Sequence, residues 1–307
     1  MTRLCHRLGQ YLQVRRALGY KLERAGRLLP DFVTFVHRAR APFITTELAL
    51  AWATQSPRGT PWWSAARLGL VRGFAEYVRA LDPRTEIPPA TLLPTKWPRR
   101  TPYLYSDADV RLLMDAAPAS LARFKGATYR TLLGVLASTG MRVGEVLALD
   151  HGDFDAADGV LRIRHAKFGK SRQVPLHPST CAALTQYGRL RDRTFRHPRS
   201  PSFFVSRAGT RLHYKNVHTA FLRLVRTVGL ADRRPRRPRL HDLRHSFVVH
   251  TLLDWYRAEV DVEARLPWLS TYLGHVGPAT TYWYLTATPE LVTMAHRRLE
   301  RLLEARS

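Results

Sequence analysis

The stretch RLHDLRHSFVVH, residues 239–250, combines an apolar run with regularly spaced charged residues. Leu243 and Phe247 lie one helical turn apart within an apolar run, which predicts a helix with one side buried in a core. His241 and Arg244 are three residues apart and share another face of that helix. His241 could simply cap the helix. A charged group beside a buried face needs a partner, however, so we expect this helix to contribute to a polar site.

A second polar position precedes this helix in the chain. The segment ASTGMRVGEVLALD, residues 137–150, places Arg142 directly after a helix stop at Gly140 and puts Glu145 one helical turn later. Taken alone, an arginine and a glutamate at this spacing usually form a surface ion pair. The alternative is that Arg142 faces a site and Glu145 orients a residue of that site.

Two tyrosines near the end of the chain raise the question of which one faces a site. The segment LGHVGPATTYWYLTATPE, residues 273–290, carries His275 just after Gly274, followed by Tyr282 and Tyr284. Ordinary interpretations exist, with the histidine as a charge at a helix end and the tyrosines as core aromatics. Residues two apart on a helix are rotated by about 200° from each other, so both tyrosines cannot enter one site.

The segment GVLRIRHAKFGKSRQVPLH, residues 159–177, changes from helical to alternating periodicity. Leu161 and Ile163 alternate with arginines, and Val174 resumes the pattern after a turn that contains glycine, which predicts a β-hairpin. The remaining patterns predict an N-cap at Ser106, a short strand at residues 200–206, and helices at residues 215–228, 243–255, 262–273 and 289–303.

Composition indicates a polyanionic partner. The 307 residues include 49 Lys and Arg against 24 Asp and Glu, a formal net charge of +25. Basic residues exceed acidic ones both before and after residue 95, so the charge is not confined to a tail, and a groove that follows phosphates is favoured. No apolar run approaches the ~18 residues of a membrane span, and the first ten residues lack a signal-peptide core. Two cysteines, Cys5 and Cys181, are too few for a disulfide framework or a zinc cluster.

The first hundred residues differ in pattern from the rest. Residues 4–81 show helical periodicity with interruptions near Gly19 and Pro30, and six prolines follow between residues 83 and 102. The alternative to a linker there is one long surface loop, but loops beyond ~15 residues are uncommon in compact domains. We predict a helical domain at residues 1–90, a linker at 91–103, and a mostly helical domain with a small sheet at 104–307.

Taken in order, these segments resemble the tyrosine recombinases, the family of phage-type integrases and related transposon enzymes. TGMRVGEVLAL is similar to the family's first arginine box and HDLRHSF to its His-x-x-Arg box. LGH supplies the next histidine, TTYWYL resembles the nucleophile segment, and AKFGKSRQVPL resembles the catalytic β-hairpin. The resemblance covers nearly the whole chain. It implies a mostly α fold with a small β-sheet, built from a SAM-like core-binding domain that contacts DNA and an α+β catalytic domain.

The resemblance also implies a set of catalytic residues. In the family the tyrosine stands nine residues after the preceding histidine, which selects Tyr284 over Tyr282. Counting back from VPL puts Lys167 on the lysine position, with Lys170 as a competing choice. The implied catalytic residues are Arg142, Lys167, His241, Arg244, His275 and Tyr284.

The roles that the resemblance implies follow from charge. Arg142 and Arg244 would grip the non-bridging oxygens of a scissile phosphate, and His275 would donate a further hydrogen bond. His241 would assist proton transfer, and Lys167 would protonate the leaving 5′ oxygen. Because the two arginines supply the positive charge at the phosphate, we expect no metal ion to be required. Because a phosphotyrosyl link conserves the phosphodiester energy, we expect no ATP to be required.

The implied partners are double-stranded DNA at paired recombination sites and further recombinase protomers, in a homo- or hetero-oligomer inside a bacterial cell. Basic residues at 189–199 and 232–239 would contact backbone phosphates. The amphipathic residues 289–307 would either dock on a neighbouring protomer or pack on their own domain. Two other functions remain open, a type IB topoisomerase-like enzyme and a non-catalytic DNA-binding accessory protein of the same fold.

Overall fold

The chain forms two compact units, residues 1–100 and 101–307. The computed structural model describes residues 3–55, 59–94, 101–164, 171–197, 199–232, 237–275, 277, 279–286 and 288–304. No helix among these residues has both the length and the apolar character that crossing a membrane requires.

The first unit is helical. Its described helices are α1 (Arg3–Ala17), α2 (Glu23–Arg38), α3 (Thr46–Thr54) and α4 (Pro61–Arg79). Threonine side chains begin the last two, because the hydroxyls of Thr45 and Thr60 accept hydrogen bonds from backbone N–H groups in the first turns. The rings of Phe32 and Trp52 meet edge to face at the centre of the core, with centroids 5.2 Å apart.

Pro30 does not interrupt the helix, contrary to the prediction, and lies inside α2. A proline in a helix interior costs about 3 kcal/mol. The same helix buries Leu29, Phe32, Val33 and Val36, and each such side chain contributes about 1.5–3 kcal/mol on burial. The buried face therefore outweighs the loss at Pro30.

The second unit surrounds a small sheet with helices. These are α5 (Asp107–Ser120), α6 (Arg123–Thr139), α7 (Val143–Ala148), α8 (Pro178–Thr194), α9 (Tyr214–Thr227), α10 (Leu240–Arg257), α11 (Val262–Leu273), α12 (Ala279–Tyr282) and α13 (Pro289–Glu304). As predicted, Ser106 caps α5, with its hydroxyl accepting from the Asp109 N–H while the Asp109 carboxylate accepts from the Ser106 N–H. A 3₁₀ turn, Trp283–Thr286, follows α12 directly.

The predicted hairpin is part of a three-stranded antiparallel sheet in the order β1 (Phe154–Asp155), β2 (Val160–Ile163) and β3 (Arg172–Pro175). Leu161 is paired with Val174, and both are buried. The predicted fold class, mostly α with a small sheet, is confirmed.

The strand predicted at residues 200–206 is wrong. That segment forms only isolated bridges, between Asp150 and Ser202 and between Val205 and Arg211. Consecutive Phe203 and Phe204 are both buried, which is incompatible with the alternation of a strand that has one solvated face.

Helix α10 lies between two hydrophobic clusters of this unit. Leu240 and Leu243 belong to the larger cluster around α5, α6 and the sheet. Val249 and Leu252 belong to a second cluster, which also contains Tyr284. Burial on two sides fixes the helix and the polar residues of its first two turns.

Helix α13 packs on its own unit, the second of the two alternatives for this segment. Leu291 is fully buried, and Met294 packs against the cluster that includes α10 and α11. Arg298 donates to the backbone oxygen of Val260, and Arg301 pairs with Glu259.

Candidate active site

Arg244 is buried, with 2% of its surface exposed, and two helix ends hold its guanidinium group. Nη1 donates to the Gly140 carbonyl at 2.8 Å and Nη2 to the Leu273 carbonyl at 2.9 Å. These carbonyls lie at the C-terminal ends of α6 and α11, where backbone oxygens lack intrahelical donors and carry partial negative charge. Burial and the charge of Arg142 lower the pKa of Arg244 to about 10, so the group remains a cation at neutral pH.

Arg142 is the N-cap residue of α7. It comes two residues after Gly140, whose backbone is left-handed. Its Nη1 donates to Glu145 at 2.8 Å, and its Nη2 donates to the Gly274 carbonyl at 3.1 Å. The Glu145 side chain is only 8% exposed, whereas that of Arg142 is 30% exposed. The pair is therefore no surface ion pair, and Arg142 keeps a face that a ligand can reach.

Glu145 binds a second arginine from the sheet. Arg172 on β3 donates to its two carboxylate oxygens at 2.8 and 3.1 Å, and to the Tyr272 carbonyl at 2.8 Å. Burial works to raise the pKa of Glu145, but hydrogen bonds from Arg172 and Arg142 outweigh it and hold the pKa below its ordinary value. The carboxylate stays ionised and joins α7, β3 and the end of α11.

His275 follows the left-handed Gly274 at the end of α11. Its Nδ1 is 2.7 Å from the hydroxyl of buried Thr281 on α12. Burial, followed by the charges of Arg244 and Arg142, lowers the pKa of His275 to about 4. The ring is therefore neutral at neutral pH, which argues against the interpretation of His275 as a charge at a helix end.

The two tyrosines lie in different environments. Tyr284 is 3% exposed, whereas Tyr282 is 47% exposed. The α-helix ends at Tyr282 and the chain tightens into the 3₁₀ turn, which directs Tyr284 towards α10. A negative charge on Tyr284 would raise the pKa of Arg244, so a phenolate at this position and the buried guanidinium would stabilise each other.

His245, which the sequence analysis did not select, lies beside Tyr284. Its Nδ1 is 2.8 Å from the Tyr284 hydroxyl. Its ring contacts that of His241 edge to face, with centroids 4.8 Å apart. Burial, followed by the charge of His241, lowers the pKa of His245 to about 4. The signal in the sequence was the four-residue spacing from His241, which puts both rings on one face of α10.

Arg172 was also missed. Period-two alternation puts it on the same face of β3 as the buried Val174, so a charged residue on a buried face was the available signal. His241 is exposed at the start of α10, in contact with His245. Lys167 and Lys170 lie outside the described residues. The structure therefore brings Arg142, Arg244, His275 and Tyr284 into one region with Glu145, Arg172 and His245, and His241 lies at its rim.

Comparison with known proteins shows the family to which the chain belongs. Residues 104–290 match the phage integrase family. A putative integrase/recombinase of Sinorhizobium fredii, y4rB, is 49% identical over an alignment of 307 positions, which covers 97% of each chain.

Solved structures share the fold at low sequence identity. The integrase of transposon Tn1549, in complex with transposon right end DNA, superposes with a TM-score of 0.66 at 15% identity over 98% of this chain and 100% of that chain. A lambda integrase tetramer bound to a Holliday junction gives a TM-score of 0.60 at 17% identity over 91% of this chain and 79% of that one. The family match and the Sinorhizobium relative establish that this chain belongs to the phage integrase family, the tyrosine recombinases.

Proposed function

We propose that this chain is a site-specific DNA recombinase that cleaves and rejoins strands through a 3′-phosphotyrosyl link to Tyr284. One observation carries the proposal, namely that the Tyr284 hydroxyl is 2.8 Å from Nδ1 of His245, the residue that follows the buried cation Arg244 on α10. A phenol with an ordinary pKa near 10 needs a nearby cation such as Arg244 to react as a phenolate. The DNA complexes of the Tn1549 and lambda integrases support DNA as the substrate.

Arg142 and Arg244 bind the scissile phosphate. A guanidinium group has five N–H donors, and each arginine uses two of them in the contacts to helix ends and Glu145 described above. Among the described residues the structure shows no hydrogen bond from the other donors, and these donors bind the non-bridging phosphate oxygens. Since the helix ends hold both groups in place before DNA arrives, they stabilise the charge of the pentavalent transition state with little reorganisation.

His275 donates a further hydrogen bond to the phosphate. The Thr281 hydroxyl at 2.7 Å can donate to Nδ1, which leaves the proton of a neutral ring on Nε2. In this role the low pKa is useful, because one defined nitrogen carries the donor over the whole physiological pH range.

In the cleavage step the Tyr284 oxygen forms a bond to phosphorus and the bond from phosphorus to the 5′ oxygen breaks. The phenolic proton passes to His241, whose ring contacts that of His245 beside the hydroxyl, and the 5′ oxygen takes a proton from Lys167, with Lys170 as the alternative donor. Rejoining reverses these steps with a 5′ hydroxyl from another strand. Because guanidinium groups supply the positive charge, we propose that cleavage proceeds in EDTA. Because the phosphotyrosyl link retains the phosphodiester energy, we propose that it also proceeds without ATP.

The test is covalent capture on a pool of duplexes with a randomised core and a nick that prevents religation. The wild-type protein should give an adduct that survives denaturation, also in EDTA, and the captured DNA defines the cleavage site. Tyr284→Phe should abolish the adduct and Tyr282→Phe should retain it. The reverse pattern, or no adduct with any member of the pool, would overturn the proposal.

Recombination further requires two sites and several protomers. We propose that residues 1–90 form a core-binding domain on DNA, that residues 91–103 link it to the catalytic domain at 104–307, and that protomers assemble on paired sites. Two differently labelled duplexes carrying the captured site should yield joined products. Relaxation of supercoiled DNA without joined products would favour the topoisomerase-like alternative.

A further inference from the structure

His245 and Arg244 are consecutive on α10 but face different groups. Successive side chains on a helix diverge by about 100°. Arg244 extends to the ends of α6 and α11, whereas His245 extends to the 3₁₀ turn that carries Tyr284. The proposed catalytic function uses Arg244 and leaves His245 without a role, although its Nδ1 is 2.8 Å from the proposed nucleophilic oxygen.

The His245 ring is held by other rings. His241 lies edge to face with it at a centroid distance of 4.8 Å, and Trp283 does so at 5.8 Å. A ring fixed in this way has little freedom to rotate. The position of the Tyr284 oxygen is therefore defined by a side chain that is itself packed in place.

The groups around His245 favour a neutral ring. Four of these groups lie on α10 or at its N-cap, namely Arg239, His241, Asp242 and Arg244. The 3₁₀ turn after α12 adds Trp283 and Tyr284. Burial and the positive groups outweigh Asp242 and keep the pKa of His245 at about 4. At cellular pH the imidazole thus has one N–H donor and one bare nitrogen that accepts.

The charge of Arg244 bears on whether Nδ1 of His245 accepts or donates in its hydrogen bond with Tyr284. A negative charge on the Tyr284 oxygen would raise the pKa of Arg244, so the guanidinium favours the lone pairs of that oxygen over its hydrogen. The same charge repels the hydroxyl hydrogen, so an orientation of that hydrogen away from Arg244 is favoured. His245 Nδ1 lies at hydrogen-bonding distance to receive it.

We propose that His245 is a positioning residue for the nucleophile, and that its unprotonated Nδ1 accepts the hydrogen bond of the Tyr284 hydroxyl and turns the lone pairs of that oxygen towards the phosphate held by Arg244. This proposal rests on Tyr284 being the nucleophile, as proposed above. It concerns orientation before attack and adds no bond-making step to the reaction.

The experiment measures single-turnover adduct formation by the full-length protein on the captured nicked duplex. His245→Leu removes the acceptor at similar volume, and His245→Asn keeps a side-chain acceptor close to the position of Nδ1. The matched control is His250→Leu, since His250 is a partly buried histidine on the same helix outside the candidate site. Binding of the same duplex, measured by fluorescence anisotropy, separates positioning from affinity.

His245→Leu should form the adduct about 10- to 100-fold more slowly, the effect of losing one strong hydrogen bond. DNA affinity should be unchanged, and His245→Asn should recover most of the rate. Thermal melting checks that the variants fold. A wild-type rate in His245→Leu, or equal losses in the Leu and Asn variants, would overturn the positioning role.

A second readout tests the hydrogen bond directly. With ¹⁵N-labelled histidine, the Nδ1 resonance of His245 should be that of an unprotonated nitrogen and should shift in Tyr284→Phe. A protonated Nδ1 would overturn the proposal. Tyr284-dependent capture that is indifferent to His245 would remove only the positioning role, whereas capture that persists in Tyr284→Phe would remove the proposed function and this inference together.

Discussion

Arg172 on β3 and Glu145 on α7 are joined by two parallel hydrogen bonds, from Nη2 to Oε2 at 2.8 Å and from Nη1 to Oε1 at 3.1 Å. The same carboxylate accepts from Arg142 at 2.8 Å. Arg172 also donates to the Tyr272 carbonyl near the end of α11. Arg172 thus connects the sheet to α7 and to the end of α11, the two segments that hold the guanidinium of Arg142.

Arg172→Lys should slow adduct formation although it keeps the charge. Lysine cannot make the two-point contact with Glu145 and bond Tyr272 at once. Loss of a hydrogen bond to a charged group, about 1.5–3 kcal/mol, corresponds to a rate about 10- to 100-fold lower. Arg162→Lys on β2 is the control, because that side chain is exposed and pairs with Asp155 at the surface. Equal single-turnover rates for Arg172→Lys and the wild type would contradict the prediction.

Gly274→Ala should damage both stability and cleavage. Gly274 has φ +65°, and an added Cβ would lie 2.6 Å from Nη1 of Arg172. Gly229→Ala is the control for backbone strain alone, since Gly229 has φ +70° with open space around the position of Cβ. The control should lose about 1–2 kcal/mol of unfolding free energy in urea denaturation. Gly274→Ala should lose more and also cleave more slowly, so similar losses in both variants would show that the contact with Arg172 has no effect.

Sequence periodicity was most informative where an apolar stripe continued over several turns. Helix α11 has the predicted bounds, residues 262–273. The predictions of a helix break at Pro30 and of a strand at residues 200–206 were wrong because burial overrode the local rules. At Pro30 it was the burial of a helix face, and at residues 200–206 the burial of two consecutive phenylalanines. Packing of that kind depends on distant elements, which local patterns do not encode.

The candidate site divides along the same line. Motif order predicted which segments contain Arg142, Arg244, His275 and Tyr284, and the catalytic roles of these residues remain predictions. His245 and Arg172 carried only local signals, which do not show their importance, because that importance depends on contacts over 39 and 27 residues of chain, with Tyr284 and Glu145 respectively. Only the 3₁₀ turn after α12 and the position of β3 beside α7 create those contacts.

Stability should fall as the pH drops from about 6.5 to about 4. His245 and His275 each have a pKa of about 4 in the folded chain against an ordinary value of 6.5. Between these values the two histidines bind more protons in the unfolded chain than in the folded one. Their contribution to stability is therefore fully present above pH 6.5, decreases towards pH 4 and changes no further below it. In His245→Asn/His275→Asn the Tm should decline less over this interval, by at least about 2–4 °C, the shift that 1 kcal/mol produces in a domain of this size. Parallel Tm profiles for variant and wild type would refute this.

Ser246→Ala should destabilise the second unit. The Ser246 hydroxyl accepts from the Tyr105 N–H at 2.8 Å and donates to the Asp242 carbonyl at 2.9 Å, and the serine is buried. Alanine would leave a buried N–H of the segment before α5 without its acceptor, which costs about 1–3 kcal/mol. Ser179→Ala is the control, since Ser179 is exposed and its hydroxyl is hydrogen-bonded, within the described residues, to His177, two residues away, and its loss should stay within about 0.5 kcal/mol.

Urea denaturation of the two serine variants measures both values. Because Ser246 follows His245 on α10, a loss of anchoring should also loosen the helix that carries the proposed positioning residue, so cleavage by Ser246→Ala should become more sensitive to temperature than cleavage by Ser179→Ala. Equal unfolding free energies would mean that water replaces the serine at the Tyr105 N–H, and that the segment before α5 does not secure α10.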